Sequence, residues 1–256
     1  MLQKLYVEIR YANLISKNSL LIMVIYNFIS LYFQSWMDKA PMNERRCYVA
    51  SATLMNKIYA CGGYNYQNGT LRSVEIYDPV LDVWAFLPHM TEVRSDAACV
   101  AFNNKIYVLG GFDGDQIHAS VEIFNPATNE WSFGPSLQVS RSGVKAIAYN
   151  DKIFVIGGYD GTRRLKTVEV YDPLVSPYFQ LQAKQLNVRR SNFAVTLTDD
   201  KIFIMGGYDG KGVTGKTEMY DNKDKEWKVS KSMKFARSAL ETLTLDDYTL
   251  NYKDFA

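Results

Sequence analysis

Four short apolar runs recur along the chain, each closed by two glycines: KIYACGG (57–63), KIYVLGG (105–111), KIFVIGG (152–158) and KIFIMGG (201–207). The pairs Gly62-Gly63, Gly110-Gly111, Gly157-Gly158 and Gly206-Gly207 stand 48, 47 and 49 residues apart. Runs this short, rich in β-branched and aromatic residues and bounded by glycine, predict strands. A fixed period of this length predicts one supersecondary unit per copy.

Other positions keep register with the glycines. Sixteen residues before each pair stands Arg46, Arg94, Arg141 or Arg190. Directly after each pair comes Tyr64, Phe112, Tyr159 or Tyr208. A glutamate (Glu75, Glu122, Glu169 or Glu218) follows in runs such as VEIYDP, and then a large aromatic: Trp84, Trp131, Tyr178 or Trp227. Arg237 opens a fifth copy, but Lys253-Asp254 stands where its glycine pair is due. Each copy predicts four strands. In the third copy the first strand starts at Arg141 (RSGVKAIAY) and the second is Lys152–Ile156. The third is VEVYDP and the fourth carries the aromatic, expected to pack between adjacent sheets. Gly-Gly permits positive φ and close backbone approach.

Composition agrees with strands and narrows the chemistry. Aromatics reach 14%, with 18 Tyr, 13 Phe and 16 Gly in 256 residues. The net charge of +2 lies wholly in the first 35 residues, where Lys4, Arg10 and Lys17 face Glu8. The repeats are neutral overall, which argues against nucleic acid as a partner. Cys47, Cys61 and Cys99 are too few and scattered for a disulfide framework or zinc site, so a reducing, cytoplasmic location is expected. His89 and His118 stand far apart, and no catalytic constellation is present. The expectation is no enzyme, no metal and no cofactor. The Asp-Gly pairs after the aromatics lack calcium-loop spacing and read as turns. The sequon Asn68-Gly69-Thr70 matters only in a secreted chain.

The repeat resembles the kelch repeat over about residues 36–245. The tags MNERRCYVA (42–50), RSDA (94–97), RSGV (141–144), RSNFA (190–194) and RSAL (237–240) are similar to those of the kelch-like (BTB-BACK-kelch) adaptor family. The resemblance implies an all-β kelch β-propeller with four complete four-stranded blades, at about 45–87, 94–136, 141–186 and 190–233. An extra strand at 237–245 and a tail at 246–256 would follow. Family rings resemble six-bladed ones, so this chain reads as an incomplete ring, short at its start. Residues 1–35 match no landmark and hold a fourteen-residue, mostly apolar run, Leu20–Phe33. That run is shorter than a membrane-spanning helix needs. Three readings of the segment stay open: a signal sequence or short anchor, an element patching the ring, and a gene-model artefact.

By the same resemblance, partner peptides dock on loops between second and third strands (64–72, 112–119, 159–166 and 208–216) and on the loops entering first strands. Arg46, Arg94, Arg141, Arg190 and Arg237 would line that face, with Ser95, Ser142, Ser191 and Ser238 beside four of them. Tyr64, Phe112, Tyr159 and Tyr208 would serve as anchors. Arginine's bidentate fork suits carboxylates, so an acidic peptide is the expected ligand class. A structural role for the arginines, paired with a glutamate or carbonyl of the adjacent blade, stays open beside this. The implied function is substrate recognition for a cullin-3 ubiquitin ligase. The cullin would be reached only through BTB and BACK domains, which 35 residues cannot hold. Actin binding is the alternative.

Overall fold

The apolar runs that open on lysine become the second strands of four antiparallel sheets. In the computed structural model, which describes residues 7–10, 25–30 and 35–242, no helix occurs among the described residues. Strands β1 (Val7–Arg10), β2 (Ile25–Ser30) and β3 (Ser35–Asp38) form a three-stranded sheet in that order. The first blade follows as β4 (Ala50–Leu54), β5 (Lys57–Cys61), β8 (Val74–Asp78) and β9 (Val83–Leu87). A small ribbon, β6 (Tyr64–Asn65) with β7 (Gly69–Thr70), rises from its second loop. The second blade is β10 (Ala98–Phe102), β11 (Lys105–Leu109), β12 (Val121–Asn125) and β13 (Glu130–Phe133). The third is β14 (Lys145–Tyr149), β15 (Lys152–Ile156), β16 (Val168–Tyr171) and β17 (Gln180–Leu181). The fourth is β18 (Ala194–Thr198), β19 (Lys201–Met205), β20 (Thr217–Asp221) and β21 (Glu226–Ser230). Each blade is a meander in chain order.

Parts of the expected organisation fall on residues outside this description. They are 20–24 and 31–33 of the apolar run, the tail, and 243–245 of the expected extra strand. The described part of that strand, 237–242, lies against the fourth blade without forming a strand there. Ala239 N–H donates to Asn192 O (2.8 Å), and the Thr242 hydroxyl to Val195 O (3.0 Å).

Blades pack face to face, so an inner strand held between two neighbours, such as β10, is apolar on both sides. In β10, Ala98, Val100 and Phe102 join a core with Leu109, Val144, Ile153 and Val155 of the second and third blades. Cys99 and Ala101 turn the other way, into a core with Tyr59, Cys61 and Val74 of the first. The first strand of the third copy starts at Lys145, not Arg141 as expected. Residues 141–144 instead make a loop through Gly143 at φ +56°.

The glycine pairs are explained by what lies next to them. The second glycine of each pair donates its N–H to the carbonyl of the next copy's repeated arginine. These bonds run from Gly63 to Arg94 (2.7 Å), Gly111 to Arg141 (2.7 Å), Gly158 to Arg190 (2.8 Å) and Gly207 to Arg237 (2.8 Å). At Gly62, φ is +63°, and a Cβ would sit 2.3 Å from Arg94 O. The pair is where one blade's backbone touches the next.

One structural assignment needs correction. Trp84, Trp131 and Trp227 stack on Tyr77, Phe124 and Tyr220 of their own blades, with ring centroids 5.0, 5.1 and 5.2 Å apart. In the third blade that place belongs to Phe179, which is 1% exposed and 5.2 Å from Tyr171. Tyr178 is 68% exposed. The loop Asp172–Pro177 carries one more residue than its counterparts, which moves the aromatic along by one.

Candidate partner-binding rim

Loops between second and third strands and loops entering first strands meet on one rim. The residue after each arginine pairs with the aromatic after each glycine pair: Cys47 with Tyr64, Ser95 with Phe112, Ser142 with Tyr159 and Ser191 with Tyr208. The four aromatics are half-buried there. Ser95 and Ser191 are buried, and Ser142 and Ser238 are half-buried.

The repeated arginines sit beneath this surface. Arg141 Nη1 donates to the carbonyls of Gly157 (2.7 Å) and Thr167 (3.0 Å), and Nη2 to Glu169 Oε1 (2.9 Å). Glu169 also accepts the N–H groups of Gln138 (2.7 Å) and Val139 (3.1 Å). Neither side chain has accessible surface. The same bridge joins Arg46 to Glu75, Arg94 to Glu122 and Arg190 to Glu218, each with both side chains 0% exposed. Desolvation pulls the Arg94, Arg141 and Arg190 guanidinium groups below their ordinary range, opposed by those glutamates. The expectation that Arg46, Arg94, Arg141 and Arg190 line the binding face is therefore corrected, because a partner cannot reach them. The structural alternative also changes in detail, since each glutamate belongs to the arginine's own blade. Arg237 alone of the series is exposed.

Two residues past each arginine the chain turns left-handed, at Tyr48, Asp96, Gly143, Asn192 and Ala239, with φ between 52° and 56°. Their backbones are linked blade to blade. Asp96 N–H donates to Tyr48 O (3.0 Å), Gly143 to Asp96 (2.8 Å), Asn192 to Gly143 (2.8 Å) and Ala239 to Asn192 (2.8 Å). These five residues line a cavity with Lys145 and Glu241, which form an ion pair.

Asp96 is half-buried in this cavity, and its carboxyl is pushed up to about 6. Withdrawal from water is the main cause, partly offset by a hydrogen bond from Ser95 and by the Lys145 ammonium. The folded state thus holds the proton more tightly than the unfolded chain. Stability is fullest below about pH 4 and falls as pH rises to about 6. Asp96→Asn, which installs the residue that the fourth blade carries at Asn192, is expected to remove that fall. It should add on the order of 2 kcal/mol at pH 7. Urea unfolding at pH 4, 5.5 and 7 measures it; equal pH slopes in both proteins would refute it.

The exposed rim is divided by charge. Loops of the third and fourth blades present Arg163, Arg164, Lys166, Arg189, Lys211 and Lys216. Their acids, Asp160 and Asp209, are occupied in turns. Asp209 Oδ1 accepts from Lys211 N (2.7 Å) and Gly212 N (2.9 Å), and Asp160 Oδ1 from Thr162 N and Arg163 N. The Arg164 guanidinium lies 4.0 Å from the Tyr159 ring centroid and 5.2 Å from that of Tyr208. Beside them, the second blade presents Asp113, Asp115 and Glu92. His118 stands 3.5 Å from both Glu92 and Asp113. Sequence reasoning missed this division because the repeats sum to neutral; counting charge loop by loop would have found it. Among the described residues no group of three or more His, Cys, Asp or Glu could hold a metal ion. No described helix is long and apolar enough to cross a membrane.

Four-stranded blades joined through inner-strand loops, with the loops between second and third strands gathered on one rim, define a β-propeller. A model of the Kelch motif matches residues 45–91, 94–138, 140–175 and 189–234, more than half of the chain. The chain belongs to the Kelch-motif family. It is 43% identical over 90 residues to kelch repeat-containing protein kel-10 of Caenorhabditis elegans, covering 33% of this chain and 15% of that protein. It is 35% identical over 96 residues to kelch-like protein 28 of Homo sapiens, covering 34% of this chain and 17% of that protein. The alignments thus span about a sixth of these relatives' length. The solved structure of YjhT superposes with a TM-score of 0.74 at 16% identity, over 87% of this chain and 82% of that one.

Proposed function

We propose that the rim of the third and fourth blades binds an acidic, extended segment of a partner protein. The observation that carries this reading is Arg164, held between the rings of Tyr159 and Tyr208 among further basic side chains, of which Arg163 pairs with Asp160 at 3.6 Å. An aromatic sandwich limits the guanidinium's rotamers, so less freedom is lost when it grips a carboxylate. Tyr159 and Tyr208 supply flat apolar area around it. Within the family, the tags quoted above favour the kelch-like adaptors, and their order resembles that of kelch-like protein 10. A relative from Caenorhabditis elegans, 42% identical over 90 residues, is named a kelch repeat and BTB domain-containing protein. On this reading the blades select substrates for a cullin-3 ubiquitin ligase in the cytoplasm, and the cullin is recruited by a BTB region.

The test is a displayed peptide library of graded charge. Acidic members should be enriched, and their affinity should fall as salt rises. Arg163→Glu combined with Lys211→Glu should weaken the best binder at least about tenfold, close to 1.4 kcal/mol, at an unchanged melting temperature. Enrichment of basic or purely apolar members would overturn the reading. Co-sedimentation of the chain with filamentous actin would favour the cytoskeletal alternative.

A further inference from the structure

One contact recurs at every blade interface. The last residue of a second strand shares a core with the second residue of the next blade's first strand or its equivalent. Leu109 joins Ala146 in this way, and Ile156 joins Val195. Between the first and second blades these two slots hold Cys61, at the end of β5, and Cys99, in β10. Strand alternation fixes the direction of both. In β5, Tyr59 and Cys61 face the second blade, while Ile58 and Ala60 face away. In β10, Cys99 and Ala101 face the first blade, while Ala98 and Val100 face the third. Both side chains therefore enter the same inter-blade core. Cys47 is occupied elsewhere, with its Sγ 3.4 Å from Tyr64 O.

We propose that Cys61 and Cys99 are a modification site, closing to an inter-blade disulfide when the chain meets a peroxide. The half-buried Cys99 loses its proton, and its thiolate attacks a peroxide oxygen. The O–O bond breaks, leaving a sulfenic acid and releasing water. Cys61 sulfur then attacks Cys99 sulfur, and the hydroxyl leaves as a second water with the Cys61 proton. Two thiols and one hydrogen peroxide give one disulfide and two waters. The neighbouring Cys61 side chain and burial both hold the Cys99 thiol well above its ordinary range. The reaction is therefore slow at neutral pH and quickens about tenfold per pH unit, as the thiolate fraction grows. The bond forms one residue from Gly62, where the first blade's backbone touches the second, so it locks an interface that already exists.

The experiment treats the full chain with hydrogen peroxide, then blocks thiols under denaturing conditions and maps peptides by mass. The free-thiol count should fall from three to one, with a Cys61–Cys99 linked peptide lighter by two hydrogens. The melting temperature should rise by about 5–10 °C and return with dithiothreitol. Cys99→Ala, which copies Ala146 in the next interface, should fold normally, form no linked peptide and show no shift. A count that stays at three, a link through Cys47, or oxygen adducts in place of a link would each overturn the proposal.

Discussion

Glu169→Ala is expected to lower the unfolding free energy by about 3–5 kcal/mol, a large part of the stability of most single domains. The cost arises because the change strands more than one group. Arg141 keeps its charge with no accessible surface, and the N–H groups of Gln138 and Val139 lose their acceptor. Each buried group left without a partner carries its own desolvation penalty of about 1–3 kcal/mol. Removing both partners, as Arg141→Met with Glu169→Leu, is expected to recover only part of the loss. The carbonyl of Gly157 would then stand unpaired, while that of Thr167 would keep only the Gly157 N–H. Equilibrium urea unfolding of the single and double variants measures this. A single-variant loss under about 1 kcal/mol would show that water reaches the bridge. It follows that reversing the charge of Arg94, Arg141 and Arg190 together should unfold the blades, so such a variant says nothing about partner binding.

Gly110→Ala is expected to cost about 3 kcal/mol or more. Gly110 has φ +64°, where a side chain is strained by roughly 1–2 kcal/mol. Its new Cβ would also lie 2.4 Å from Arg141 O, the carbonyl that accepts the Gly111 N–H. That carbonyl belongs to backbone and cannot swing aside, so the neighbouring blade must shift and an inter-blade bond is lost. Gly69→Ala is the control. Its φ is +75°, yet nothing lies within 4 Å of the added carbon, so only the conformational term of about 1 kcal/mol should appear. Equal losses at both sites would mean that close blade contact contributes little.

The strands were legible because a strand's signature is local. Lys152–Ile156 was readable to the residue, since apolar run, turn and glycine pair all lie within a few positions. The arginines were harder. An invariant register fits a surface series and a buried series equally well, and only the placement of Gly157 O and Glu169 around Arg141 separates them. The third blade's aromatic was misplaced because counting from the glycines assumes a loop of constant length, and Asp172–Pro177 breaks that assumption. Arg164 went unnoticed because it occurs in one blade only, and a search built on repetition sees what blades share. Its neighbour Tyr208 is far away in sequence and near only once two blades stand side by side.

The left-handed linkage along the inner loops uses only main-chain N–H and carbonyl groups, so it places no demand on side chains beyond tolerance of positive φ. Tyr, Asp, Gly, Asn and Ala occupy its five positions in turn, at one backbone geometry. Duplicating a blade therefore copies the joint intact, while the side chain at the joint is free to drift. Mutations at these five positions can change the lining of the cavity while the blades stay joined.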